Sequence, residues 1–175
     1  FDALVREGSV RYLGVSNFSL DRLRSAQDIA RENGLASYRV VQNRYNLVSR
    51  EAYPAEYQDY LREQGMAMLP FASLASGFLT GKHIPGSKVD SVRGGAVAKY
   101  LEDPRATEAL GVVQEIACDH VAKTTAVALA WQLSHDTIPS TIASARTPDQ
   151  LDDLFAGTAL ELSAEEIDRL SAVWS

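Results

Sequence analysis

Polar and aromatic side chains follow four short apolar runs of this sequence, where each run gives way to a helical pattern. They occupy residues 16–17, 42–46, 71–74 and 144–147, and include serines, amides, a phenylalanine and two arginines. In parallel α/β proteins the carboxyl ends of the strands meet at one edge of the sheet, where ligands bind. We therefore expect these four segments to lie together at that edge.

The side chains in these segments suit the recognition of a nucleotide. An amide such as Gln42 can exchange complementary hydrogen bonds with a nicotinamide carboxamide, and the ring of Phe71 can stack on its face. Ser144, Arg146 and the helix start after Thr147 offer a hydroxyl, a guanidinium and backbone N–H groups, which suit a phosphate. Each residue alone could instead cap a helix or bond to loop backbone, but the four segments together favour a ligand site.

The elements that must position these residues alternate between strand and helix. Apolar and β-branched runs predict strands over residues 10–16, 38–43, 66–72 and 140–144. Capping residues and apolar spacing predict helices after Ser19, over 55–64, after Asp103, over 125–133, after Thr147 and after Ser163. Residues 80–103 are rich in Gly and Ser and predict a long irregular loop. This order predicts an α/β fold with a parallel sheet.

Composition excludes several classes of protein. The 175 residues have a net charge of −6, which argues against a nucleic-acid backbone as a partner. A single cysteine excludes an intramolecular disulfide and fits a reducing compartment. No apolar run approaches the roughly 20 residues that span a bilayer. We expect one domain over residues 1–175, soluble and cytoplasmic, with neither nucleic acid nor membrane as a partner.

Four motifs are distributed along the chain, and the resemblance they carry covers essentially all of it. Residues 8–18 read GSVRYLGVSNF, 41–46 read VQNRYN, 69–82 read LPFASLASGFLTGK, and 142–151 read IASARTPDQL. They resemble the segments around the fifth to eighth barrel strands of the aldo-keto reductase family, in the family's order and spacing. The resemblance implies the C-terminal half of a (β/α)₈ TIM barrel. It also implies an NADPH-dependent oxidoreductase that reduces aldehydes or ketones to alcohols by hydride transfer.

The resemblance assigns each part of the cofactor NADPH (NADP) to particular residues. It implies that the nicotinamide carboxamide is bound by Ser16, Asn17 and Gln42, and that the ring stacks on Phe71, in place of the family's more frequent tyrosine. It further implies that the pyrophosphate lies along Leu74, Gly77 and Leu79, the 2′-phosphate at Ser144 and Arg146, and the adenosine near Gln150 and Asp153.

The sequence departs from the family pattern at two places in this site. Ala72-Ser73 stands where Ser-Pro is usual, which implies the loss of one hydroxyl contact. Leu154 stands where asparagine is common, which weakens adenine recognition. Arg146 favours NADPH over NADH, because a bidentate cation rewards the extra phosphate.

The resemblance implies neither a catalytic nor a metal-binding residue in this chain. The family's catalytic Asp, Tyr, Lys and His come from earlier strands, and this sequence begins just before the fifth. We interpret the acidic pairs Asp152-Asp153 and Glu165-Glu166 as partners of helix dipoles, not as metal ligands. Without a general acid, hydride transfer loses a factor of about 10²–10⁴. We therefore expect these 175 residues alone to be nearly inactive.

Three roles are compatible with these observations. In the first, the chain is the cofactor-binding half of a reductase, with a small carbonyl compound as substrate and the missing N-terminal half of the barrel as partner. In the second, it is a non-catalytic nucleotide-binding or regulatory protein of the same fold. In the third, a free half-barrel pairs with a second copy of the chain, which would cover its strand edges and apolar face.

Overall fold

Short parallel strands alternate with longer helices in the computed structural model, which describes residues 1–83 and 94–174. The strands are β1 (Leu13–Ser16), β2 (Tyr38–Gln42) and β3 (Ala67–Met68). The helices are α1 (Asp2–Arg6), α2 (Leu20–Glu32), α3 (Ala55–Glu63), α4 (Gly94–Glu102), α5 (Pro104–Asp119), α6 (Thr124–Leu133), α7 (Pro148–Ala159) and α8 (Ala164–Ala172), with a 3₁₀ helix over Ala75–Thr80 between β3 and α4. The predicted α/β class with parallel strands is confirmed.

The sheet has the order β1-β2-β3, and both strand pairings are parallel. Val41 and Met68 pair across β2 and β3 and are fully buried, as expected for strands covered by helices. Ser16 pairs with Gln42, so β1 and β2 end at the same level. This register aligns the carboxyl ends of the strands at one edge of the sheet.

Helix α2 shows how local sequence fixes the position of a strand. The Ser19 hydroxyl accepts a hydrogen bond from the Arg22 N–H at 3.3 Å, which caps the helix as predicted. On its buried face, the Gln27 amide donates to the Tyr38 carbonyl at 2.9 Å and accepts from the Tyr38 N–H at 3.0 Å. Because both bonds go to the first residue of β2, the helix and the start of that strand are joined directly.

The prediction of an irregular loop over residues 80–103 was wrong at its C-terminal end. Residues Gly94–Glu102 form helix α4. Val97 is fully buried, and the ring of Tyr100 stacks on that of Phe78 with 5.3 Å between centroids. The signal was the helical spacing of Val97, Tyr100 and Leu101, which the neighbouring glycines obscured. Residues 84–93 of the predicted loop lie outside the described residues.

The prediction of a fourth strand over residues 140–144 was also wrong, because this segment follows β3 without joining it in a ladder. Two backbone bonds link the segments: the Met68 N–H donates to Thr137 at 2.8 Å, and the Ile142 N–H donates to Pro70 at 2.9 Å. A parallel ladder starting at Met68 would next need N–H donors at positions 139 and 70. Both positions are proline, which has no N–H to donate.

Helix α6 is buried on all sides, and its Trp131 lies at the centre of a cluster of aromatic side chains. Trp131 is fully buried, and its ring stacks on that of Tyr45 with 5.5 Å between centroids. The Arg50 guanidinium lies 4.6 Å from the centroid of Trp131 and donates to the carbonyls of Leu170 and Ser171. These contacts tie the loop after β2 to the last turn of helix α8.

Helices α6 and α7 pack closely because small residues face each other at their crossing. Gly157 of α7 is buried, and a Cβ atom at this position would lie 2.8 Å from the Leu129 Cβ and 3.1 Å from the Ala126 carbonyl oxygen. Helix α7 therefore lies against the backbone of α6 at a distance that only glycine permits.

Among the described residues, no helix is both long enough and apolar enough to cross a bilayer.

His135, just after α6, is held in one neutral form. Its Nδ1 lies 3.0 Å from the Trp131 carbonyl, which can only accept, so Nδ1 carries the hydrogen. Its Nε2 lies 2.9 Å from the Tyr45 hydroxyl and is left to accept from it. Burial lowers the pKa of His135 below its ordinary value of 6.5, because desolvation penalises the charged ring.

This lowered pKa predicts that acid destabilises the fold. The unfolded chain takes up a proton at His135 near the ordinary pKa, whereas the folded chain takes it up only at lower pH, so the free energy of unfolding falls as the pH drops below about 6.5. Urea unfolding at about pH 7.5 and pH 5.5 measures this fall. A His135→Gln variant is less stable at both pH values but loses less on acidification. An equal loss in both proteins would contradict the assignment to His135.

Candidate cofactor site

The ends of β1 and β2 bring together the three residues predicted to bind a carboxamide. Ser16 and Gln42 are paired across the strands, and the Asn17 N–H donates to the Gln42 carbonyl at 3.0 Å. The Asn17 amide donates to the Ser16 hydroxyl at 3.1 Å. Within the described part of the chain the Gln42 side chain has no hydrogen-bond partner, which leaves its amide free for a ligand.

Phe71 lies beside this group, at the end of the segment that follows β3. It forms an isolated parallel bridge with Arg44, and its N–H donates to the Asn43 carbonyl at 3.1 Å. The Phe71 side chain is half-buried, so part of its ring is open to a stacking partner. The predicted ring-stacking residue therefore lies one strand away from the predicted carboxamide-binding residues.

Arg44 is a residue at this edge that the sequence analysis did not assign to the site. Its guanidinium lies 5.8 Å from the centroid of the Phe71 ring, and the side chain is exposed. Side chains alternate along an extended segment, so Arg44 points to the same side as Gln42 while Asn43 between them is buried. That alternation was the signal in the sequence that could have included Arg44.

The loop after Phe71 has an unusual backbone. Ala72, Ala75 and Ser76 have φ angles of 56°, 48° and 61°, in the left-handed region that non-glycine residues seldom adopt. Gly77 follows with a φ of 102°, where the absence of a Cβ removes the steric cost. The chain therefore turns tightly directly after Phe71, with the Ala75 N–H donating to the Ala72 carbonyl at 2.9 Å.

Of the three residues predicted to follow the pyrophosphate, one has its side chain in the core. Leu79 is fully buried, whereas Leu74 and Gly77 are half-buried. The Thr80 hydroxyl donates to the Gly77 carbonyl at 2.6 Å and closes the turn. Leu79 is buried as a whole residue, backbone included, so none of its surface is open to a ligand in this structure.

The predicted phosphate and adenosine residues lie at the start of helix α7. Ser144 and Arg146 are exposed, and within the described residues the Arg146 guanidinium has neither an ion pair nor a hydrogen bond. Gln150 is also exposed, and Asp153 is half-buried one turn further along the helix. An unpaired cation beside the positive end of a helix suits a phosphate group.

The predicted capping box at this helix start differs in one bond. The Thr147 hydroxyl accepts from the Gln150 N–H at 3.3 Å, as expected. The Gln150 side chain, however, accepts from the Arg146 N–H at 2.9 Å instead of from the N–H of Thr147. This bond fixes the backbone at Arg146 and leaves its side chain free.

The two parts of the site lie on the same edge of the sheet. The Ile142 N–H donates to the Pro70 carbonyl at 2.9 Å, immediately before Phe71. Ser144 follows Ile142 by two residues, and α7 begins shortly after it. A backbone hydrogen bond therefore connects the segment that leads to α7 with the segment that ends at Phe71.

Three tyrosines that could act as proton donors are buried, and their hydroxyls form hydrogen bonds within the protein. Burial raises the pKa of Tyr45, Tyr53 and Tyr57 to about 12 in each case. Tyr53 bonds to the Thr137 hydroxyl at 2.7 Å, and Tyr57 donates to the Phe18 carbonyl at 3.1 Å. These phenols stabilise the fold.

Within the described residues, no group of three or more potential metal ligands occurs.

Comparisons with known proteins agree with this architecture. The profile of the Aldo/keto reductase family matches residues 1–175. An aldo-keto reductase of Fusarium vanettenii is 31% identical over 166 residues, which are 93% of this chain and 44% of the relative. The L-glyceraldehyde 3-phosphate reductase of Escherichia coli K12 is 30% identical over 155 residues, covering 85% of this chain and 44% of the relative.

A solved structure shows the same fold. The crystal structure of a thermostable aldo-keto reductase with the inhibitor epalrestat superposes with a TM-score of 0.72 and 21% identity, covering 98% of this chain and 51% of that one. The likeness confirms the predicted TIM-barrel fold class. The chain spans about half the length of the curated relatives it matches. Because the family profile matches residues 1–175, the chain belongs to the aldo/keto reductase family.

Proposed function

We propose that this protein is an NADPH-dependent oxidoreductase that reduces aldehydes or ketones to alcohols, and that residues 1–175 form its cofactor-binding half. The observation that carries the proposal is the set of groups left available at the strand ends and at the start of α7: the free Gln42 amide, the half-open Phe71 ring and, among the described residues, the unpaired Arg146 guanidinium. When bound, NADPH supplies the hydride that reduces the carbonyl carbon. Its relatives include an L-glyceraldehyde 3-phosphate reductase of Escherichia coli and a versiconal hemiacetal acetate reductase of Aspergillus parasiticus, which supports a reductase.

The chain's own residues bind and orient the cofactor in this proposal. Ser16, Asn17 and Gln42 hold the nicotinamide carboxamide, since the amide and hydroxyl groups of paired strands can donate and accept at once. The Phe71 ring supports one face of the nicotinamide and keeps water from it. A ring fixed at its carboxamide and on one face can present only its other face to a substrate.

The remaining residues hold the anionic part of the cofactor. The backbone around Leu74, Gly77 and Leu79 follows the pyrophosphate. Ser144 and Arg146 bind the 2′-phosphate, and Gln150 and Asp153 lie beside the adenosine. Because the free guanidinium of Arg146 is the group that distinguishes the two nicotinamide cofactors here, we propose NADPH over NADH.

The proton for the alcohol product comes, in this proposal, from outside these 175 residues. The buried Tyr45, Tyr53 and Tyr57 are engaged in the fold, and the chain spans about half of its relatives' length. Tyr12 on the open side of β1 is 70% exposed, and Ile142 beyond β3 is 41% exposed. We propose that the N-terminal half of the barrel, or a second copy of the chain, covers these two exposed edges and brings the general acid.

The test is cofactor titration of the full-length protein. NADPH is expected to bind more tightly than NADH, as measured by quenching of tryptophan fluorescence, and the bound cofactor is expected to be consumed when small aldehydes or ketones are added. The absence of NADPH binding would contradict the proposal. Tight binding without consumption across a broad set of carbonyl compounds would favour a non-catalytic nucleotide-binding protein.

A further inference from the structure

Backbone hydrogen bonds alone do not hold residues 140–146, the segment that carries the proposed phosphate-binding residues, against the sheet. The segment around Ile142 runs beside β3, but Pro139 and Pro70 remove two of the donors that a parallel ladder would use. The register of this segment sets the distance from Phe71 to Arg146. Something other than the ladder must therefore fix that register.

Three side chains form a largely buried chain of hydrogen bonds at this place. The Gln132 amide donates to the Tyr45 carbonyl at 2.6 Å, and its carbonyl oxygen accepts from the Thr141 hydroxyl at 2.7 Å. The Thr141 hydroxyl in turn lies 2.5 Å from the Ser73 hydroxyl. Gln132 is fully buried and Ser73 is 2% exposed, while Thr141 between them is half-buried.

The direction of every bond in this chain follows from its acceptors. The Tyr45 carbonyl can only accept, which fixes the orientation of the Gln132 amide. The Gln132 oxygen then takes the single hydrogen of Thr141, so Ser73 must donate to Thr141. The Ser73 oxygen also lies 3.0 Å from the Ile142 carbonyl and 3.3 Å from the Pro70 carbonyl, so its hydrogen has only internal acceptors nearby.

We infer that Gln132, Thr141 and Ser73 are positioning residues that replace the missing ladder and set the spacing between the nicotinamide and phosphate parts of the cofactor site. At one end, this series of hydrogen bonds reaches the Tyr45 carbonyl, and the Tyr45 N–H donates to the Phe71 carbonyl at 3.4 Å. On the other side, Thr141 precedes Ser144 by three residues. This inference rests on the proposed function, because it concerns the placement of the same cofactor.

A ligand that spans both parts of the site should depend on this spacing more than a ligand that fills one part. NADPH contacts both, so its affinity includes the benefit of two groups already held at the correct distance. Adenosine 2′,5′-bisphosphate contacts only the part at Ser144 and Arg146. A change that loosens the spacing therefore weakens NADPH while sparing the smaller ligand, whereas a general loss of folded protein weakens both.

The experiment replaces Thr141 in the full-length protein. Thr141→Val keeps the shape but removes the hydroxyl that joins Gln132 to Ser73. The Gln132 oxygen then loses its donor, and Ser73 is left with the carbonyls of Pro70 and Ile142. The Kd for NADPH is expected to rise about tenfold. The Kd for adenosine 2′,5′-bisphosphate is expected to change less than about twofold. Thr141→Ser retains the hydroxyl and should restore NADPH binding. The matched control is Thr107→Val, which removes a half-buried hydroxyl that donates to Asp103 and Pro104 in helix α5.

Amide hydrogen exchange supplies a readout without cofactor. Thr141→Val is expected to speed exchange at the Ile142 amide, and Thr107→Val is expected to leave it unchanged. Unchanged exchange at Ile142, or an equal weakening of both ligands, would overturn the inference. If the wild-type protein fails to bind NADPH, the proposed function fails. The exchange rates then decide alone whether the three side chains hold the segment.

Discussion

Arg146→Gln is expected to raise the Kd for NADPH about a hundredfold and to leave the Kd for NADH within about twofold. The Arg146 guanidinium is exposed and, among the described residues, unpaired, so its charge is available to a phosphate. Glutamine can donate a hydrogen bond but carries no charge. Because NADH lacks the 2′-phosphate, its binding does not depend on that charge. Fluorescence titration with both cofactors at constant ionic strength measures the two constants.

Arg31→Gln is the control for a general change in protein charge. Arg31 lies in helix α2 and pairs with Asp28 at 2.6 Å on the surface. Removing this exposed pair changes stability by less than about 1 kcal/mol and should leave both cofactor affinities unchanged. Equal losses of NADPH and NADH affinity in Arg146→Gln would show that Arg146 does not read the 2′-phosphate.

Gly157→Ala is expected to lower the free energy of unfolding by about 2 kcal/mol, against the usual preference for alanine in a helix. The added Cβ would lie 2.8 Å from the Leu129 Cβ and 3.3 Å from the Ala126 Cα, and neither atom is at the end of a flexible side chain. Helix α7 must therefore move away from α6. Since α7 also carries Gln150 and Asp153, NADPH affinity is expected to fall as well. Urea unfolding and cofactor titration measure the two effects.

The chain offers a matched control for this substitution. Gly111 lies in helix α5, and a Cβ added there would meet no atom within 4 Å. Gly111→Ala is expected to raise the free energy of unfolding by about 0.5–1 kcal/mol, because alanine loses less backbone entropy in a helix. If both variants are stabilised, the close approach of α6 and α7 is not a constraint on the fold.

Most helix boundaries could be predicted because they depend on residues close in sequence. Ser19 and Ser163 cap helices α2 and α8 with their hydroxyls, and Ser163 forms the full capping box with Glu166. Asp103 and Pro104 likewise begin helix α5. In each case the groups that satisfy the first turn lie within a few positions of one another, so the sequence pattern was sufficient.

The strand prediction failed where the outcome depends on partners far along the chain. Residues 140–144 have a strand's composition, but a ladder also needs donors on the neighbouring segment, and Pro70 lies some 70 positions away. The neighbour of a predicted strand is not visible in its own residues. Helix α4 was missed for a local reason, since Gly94 and Gly95 hid its apolar spacing.

The candidate site divides in the same way. Residues at strand ends, such as Gln42 and Phe71, could be predicted because a parallel sheet brings its carboxyl ends together whatever the loops do. The bonds of Gln132 to Tyr45 and to Thr141 could not, because they join a helix to two separate loops. Nothing in the sequence around Gln132 distinguishes a buried, fully paired amide from an exposed one.

The residues with left-handed backbone at the strand ends imply that stability and the shape of the cofactor site oppose each other. Asn17, Ala72, Ala75 and Ser76 all lie at the carboxyl edge of the sheet, and for a residue with a Cβ this conformation costs about 1 kcal/mol or more. Glycine at position 72 or 76 would remove that cost, whereas at position 75 it would also remove a fully buried methyl group. A laboratory selection for heat tolerance should therefore enrich glycine there, and the enriched variants would carry a looser loop beside the cofactor.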